Sequence, residues 1–121
     1  MTNVHMIVGS IVVLLVLVDF VMYLLNFVRG KAIPYHKIVA FGASGFLLLQ
    51  YVIGFSLLGE GKRITPFHVV VALVAIIPVG AEHMLTGQET GIRSRGMKGM
   101  GATIVTAVLV LIAYAIGEAS N

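Results

Sequence analysis

Apolar residues run along this chain in four long blocks, about Val4 to Val28, Ile33 to Leu58, Pro66 to Leu85 and Met100 to Ile116. A helix needs about 20 residues to cross a bilayer, with a range of about 17 to 25, so each block is long enough to span. With their flanks the spans read as 4–28, 33–58, 66–87 and 99–117, within a single domain over residues 1–121. The polar links RGKAIPYHK, GEGKRITP and TGQETGIRSRGMKG are short. Short links make consecutive helices antiparallel, so the expected fold is all-α, an integral membrane up-down-up-down four-helix bundle. Pro34 and Pro66 suit the first turns of their helices, with Thr65 as N-cap. Pro78 lies inside the third span and predicts a kink near Val74 to Ile77, where its ring and missing N–H interrupt the helix.

Composition strengthens this picture. The chain is 59% hydrophobic and 11% charged, against about 25% charged residues in soluble domains. Its mean hydropathy is +1.04. The N-terminus has neither a basic n-region nor a small-residue cleavage site, so the first block reads as a mature span. The absence of cysteine excludes disulfides, Cys-ligated iron–sulfur clusters, thiolate zinc sites and covalent c-type haem attachment. The net charge of +3 gathers in the links, which membrane topology explains better than nucleic-acid binding. Links one and three with their flanks carry Arg29, Lys31, Lys37, Arg93, Arg95 and Lys98, and link two only Lys62 and Arg63. The positive-inside rule therefore puts links one and three in the cytoplasm and both termini outside, in a prokaryotic inner (plasma) membrane.

Polar residues inside the spans carry the functional signal. Three spans open on similar words, His5-Met6-Ile7-Val8-Gly9, His36-Lys37-Ile38-Val39-Ala40 and His68-Val69-Val70-Val71-Ala72. Fourteen residues beyond each histidine stands a polar residue, Asp19, Gln50 or Glu82. At 100° per residue that step returns to within about 40° of the histidine, giving each helix one polar stripe. A fourth histidine, His83, lies fifteen residues beyond His68, about 22 Å along a helix axis and turned by about 60°. Ionisable groups within spans are functional candidates, since hydrocarbon penalises them unless something engages them.

Antiparallel alternation sorts the histidines by face. His5 and His68 fall at the outer face, on helices one and three, which are diagonal in a simple ring. His36 and His83 fall at the cytoplasmic face, on helices two and three. Two imidazoles across a slot lined by small residues suit a haem ligated from both sides. His5 with Gly9 and His68 with Ala72 make the outer candidate site. His36, with Ala40, Gly42 and Ala43 behind it, pairs with His83 for the inner one. Met97 or Met100 is an alternative partner for His36, because haem iron also accepts a Met/His set.

This placement of paired histidines, with small residues beside them, resembles the transmembrane di-haem cytochromes b over the four-helix core. The resemblance implies one or two b-type haems and electron transfer across the membrane or to and from quinone. It also implies a haem subunit or carrier rather than a stand-alone enzyme, in a larger redox complex or a homo-oligomer. The chain departs from that family where Asp19 stands in helix one in place of a second histidine, and helix four has none.

Two other classes fit the same residues. Length and span number are similar to the small multidrug-resistance transporters, in which a first-helix carboxylate, here Asp19, couples export to protons. Alternatively the polar groups only knit helices together in a non-catalytic accessory subunit. Asp19, Gln50 and Glu82 are in each case the proton or hydrogen-bond candidates, with Gln50, Tyr23 or His36 as the expected partner of Asp19.

Overall fold

The structure, a computed structural model, describes residues 2–61, 63–88 and 91–119. These residues form α1 (Thr2–Arg29), α2 (His36–Gly59), α3 (Pro66–Val74), α4 (Ile76–Gln88) and α5 (Ile92–Ala119). No strand occurs among them. The third span is the pair α3–α4, so among the described residues four helices are long and apolar enough to cross a membrane. Burial supports the same environment. Ile7, Leu14, Ile38, Val52 and Ile77 are exposed, while Asp19, Asn26, Glu82, Thr103 and Thr106 are buried. Large apolar side chains face outward and polar ones inward, the arrangement of a protein whose solvent is hydrocarbon.

The break in the third span falls where Pro78 predicts it. Without an N–H on Pro78, the Val74 carbonyl has no helical partner, and α3 stops at Val74. Ala75 bridges to α4, which starts at Ile76. Thr65 occupies the N-cap position and Pro66 the first turn, although the Thr65 hydroxyl makes no capping bond.

Two boundaries differ from the sequence reading. Helix two begins at His36 rather than near Ile33, because Tyr35 sits in the left-handed region at φ 65 and ends the link. Pro34 therefore lies in the turn before the helix. Helix four begins at Ile92 rather than near 99, so Arg93, Arg95 and Lys98 are helical. The cause is packing against α1. A Cβ on Gly96 would meet the Tyr23 carbonyl and the Phe27 amide at 2.7 Å, and one on Gly99 would stand in the Tyr23 ring. Missing side chains let the backbones approach there, which favours continuing the helix through a glycine-bearing segment.

α1 packs chiefly on α5 and on α2, and α5 in turn on α3 and α4. No comparable interface joins α2 to α3 or α4. The ring of spans therefore has one loose seam, between helices two and three. Side chains bridge it: Tyr51 donates its hydroxyl hydrogen to the Ala72 carbonyl, and Ser44 Oγ lies 2.7 Å from His83 Nε2. Phe41 also stacks on His83, with ring centres 4.5 Å apart.

Candidate functional site

Two chambers lie inside the ring, one toward each end, and each contains one of the expected histidine pairs.

In the upper chamber His5 of α1 and His68 of α3 face each other across the bundle, with ring centres 6.3 Å apart and planes inclined at 74°. His68 Nδ1 donates to the Ala113 carbonyl of α5 at 2.7 Å, which fixes the ring and leaves Nε2 outside that bond. His5 Nε2 lies 3.4 Å from the Gln50 amide nitrogen of α2. His5 Nδ1 and Gln50 Oε1 are buried and have no hydrogen-bond partner. Buried polar atoms short of a partner are uncommon and call for an occupant such as water, an ion or a ligand.

Glycines make room for these rings. A Cβ on Gly54 would lie 3.3 Å from His5 Cε1, one on Gly117 would lie 3.0 Å from His68 Cε1, and one on Gly9 would lie 2.9 Å from Gln50 Nε2. Ala72 lines the same chamber, as do Val12, Leu47 and Val110. Its volume is about 90 Å³. The expected companions Gly9 and Ala72 are thus at the site, and Gly54 and Gly117 join them.

The lower chamber is larger, about 480 Å³, and has His36, His83 and Ala40 in its wall. Its histidines are engaged elsewhere. His36 Nε2 donates to Asp19 Oδ1 at 2.8 Å, and His36 Nδ1 accepts from Asn26 Nδ2 at 3.1 Å. Both ring nitrogens are therefore in use, which explains an inner histidine without any metal. Asn26 Oδ1 also accepts from the Ile33 amide at 3.2 Å, tying link one to α1. Tyr23 donates to Glu82 Oε2 at 2.8 Å, and its ring meets that of His36 edge-on at 4.2 Å. Asp19 and Glu82 are respectively 1% and 3% exposed. Asp19 bonds to His36 and Glu82 to Tyr23, and the Tyr23 and His36 rings touch, so each carboxyl shares in one polar cluster, as its cost in hydrocarbon demands.

The remaining expected residues fall outside these arrangements. Gly42 lines neither chamber, and a Cβ there would meet nothing within 4 Å. Met97 is exposed, and neither Met97 nor Met100 lines either chamber. Lys62 lies outside the described residues. Among the described residues no three His, Cys, Asp or Glu side chains gather to hold a metal ion. Any metal at His5 and His68 must therefore bring further ligands with it. No family model, curated protein or solved structure matches this chain.

Proposed function

We propose that the chain is a membrane electron-transfer protein that binds b-type haem in the upper chamber through His5 and His68. The observation that carries this reading is the facing of the two imidazoles at 6.3 Å. A metal–imidazole bond of about 2 Å on each side sets ring centres roughly this far apart. His68 has the second support expected of a ligand, since a metal-bound imidazole commonly gives its other N–H to a backbone carbonyl, here that of Ala113. The unpartnered His5 Nδ1 offers a lone pair or a proton inside the same chamber. Haem brings its own equatorial ligands, so two side chains suffice, and when bound it supplies a one-electron couple.

The protein's part is to hold, exclude and tune. His5 and His68 would hold the haem iron, Gly54 and Gly117 leave room for their rings and Gly9 for the Gln50 amide, and Leu47, Val12 and Val110 would keep water out. The chamber at about 90 Å³ is smaller than a macrocycle. Haem would require it to widen, and the seam between α2 and α3, crossed by the Tyr51–Ala72 bond, is where the packing is thinnest. One haem is proposed, because His36 is committed to Asp19 and Asn26. Quinone is the proposed exchange partner within the bilayer, and a larger redox complex or a second copy of the chain the proposed assembly. Links one and three face the cytoplasm and both termini lie outside, in a prokaryotic plasma membrane.

The test is the visible spectrum of protein purified in detergent from cells with ample haem. A Soret band with sharp α and β bands on reduction is expected, and His68→Ala removes them. A colourless preparation overturns the reading. One observation favours a second reading, proton-coupled export: Asp19 is buried beside the larger chamber and bonded to His36. In that case Asp19→Asn abolishes proton-driven efflux in vesicles while the protein stays colourless.

A further inference from the structure

The lower chamber has a chemistry that the upper one lacks, and haem does not account for it. Lys37 and Arg95 stand in its wall. Arg29, Lys31, Arg93 and Lys98 stand near it in sequence, at the ends of α1, α2 and α5. The helices α2 and α5 begin at this end while α1 and α4 finish there, so the helix dipoles largely offset one another and the side-chain cations set the field. Behind the wall residues His36 and Tyr23, the Asp19 and Glu82 carboxyls are already served by those two side chains.

The same chamber has an apolar side. Ile33, Ala40, Phe41 and Ile92 line it, and it lies along the loose seam between α2 and α4. Phe41 is 54% exposed, on the surface that hydrocarbon covers. A ligand that satisfies both halves has an anionic head and an apolar tail. We infer that the lower chamber is a binding site for the headgroup of an anionic phospholipid, its phosphate between Lys37 and Arg95 and its acyl chains leaving through the seam. Basic pockets between spanning helices on the cytoplasmic side take such headgroups. The proposal rests on placement of the bundle in a bilayer and not on haem.

The experiment is native mass spectrometry of the whole chain in neutral detergent, titrated in separate arms with phosphatidylglycerol, phosphatidylcholine and glycerol 3-phosphate. Phosphatidylglycerol adducts are expected to form at lower concentration than phosphatidylcholine adducts, and glycerol 3-phosphate to give none. Lys37→Ala weakens the phosphatidylglycerol adduct about fivefold, the effect of one cation near an anionic headgroup. Lys37 is exposed, so its loss leaves the fold intact, and circular dichroism checks this. Arg95→Gln weakens it by a similar factor. Equal uptake of the two lipids, or an unchanged phosphatidylglycerol titration in Lys37→Ala and Arg95→Gln, overturns the proposal. Binding of glycerol 3-phosphate as strong as that of the lipid also overturns it, since the site would then serve a soluble phosphate ester. Failure of the bilayer reading is separate: the protein would not incorporate into vesicles of either lipid.

Discussion

Asp19 of α1 holds His36 of α2 through a 2.8 Å hydrogen bond. Fourteen residues away along both helices the same antiparallel register brings Gln50 of α2 to His5 of α1. One spacing thus supplies both ends of the α1–α2 hairpin with a polar clasp. The lower clasp is the better buried and the shorter. Asp19→Ala leaves the His36 imidazole without its acceptor, at a cost of about 1–3 kcal/mol. Unfolding of the reconstituted protein by denaturant measures it, and the double variant with His36→Leu recovers part of the loss. An additive double variant would mean that the two side chains do not act as a pair.

Tyr23 anchors the contact between α1 and α5. Its ring occupies the space that a Gly99 side chain would need. Gly99→Ala forces either the ring or a helix to move, which overpacking series put at about 1–3 kcal/mol. Gly101, two residues on, meets nothing within 4 Å, so Gly101→Ala is neutral or raises stability by up to about 1 kcal/mol through helix propensity. Thermal unfolding of the two variants side by side is the comparison. Equal midpoints would remove the close approach from the account.

Tyr23→Phe keeps the ring against Gly99 and deletes the hydroxyl that donates to Glu82. The expected loss is about 1–3 kcal/mol, from a buried carboxyl left short of a donor. The visible spectrum stays as in the parent, since the upper chamber is untouched. A changed spectrum would mean that the two chambers are linked in a way that these contacts do not provide.

On the haem proposal, replacement of either upper histidine removes a ligand, whereas replacement of a lower one does not. His5→Ala and His68→Ala abolish the reduced α band, and His83→Ala retains it. Gly117→Val acts without replacing a ligand, because its side chain would push on the His68 ring from 3.0 Å. It shifts or weakens the band while the histidine count stays the same. Optical titration with added haem measures all four. Loss of the band in His83→Ala alone would move the cofactor to the lower chamber.

Much of this was legible before any coordinates. Long apolar blocks fix the spans because hydrocarbon thickness fixes their length, and Pro78 breaks its helix for reasons local to its own ring. Alternation of direction was enough to bring His5 to His68 and to put His36 and His83 at one end, where each bonds to other residues. The sequence offers His36 as one of three partners for Asp19, and the structure selects it. That selection, and the bond from Tyr23 to Glu82, depend on how two helices turn and slide against one another, which no single helix encodes. The early start of helix four was hidden for a related reason. Arg93, Arg95, Gly96 and Gly99 look like a link until Tyr23 and Phe27 of another span are set against them.

The principal neighbour of α1 is α5, the last of these helices to be synthesised. During insertion the first hairpin must therefore wait in the lipid until two further spans have followed it. A chain cut after Gln88 would leave the α1 face around Tyr23, which packs on Gly96 and Gly99, open to lipid.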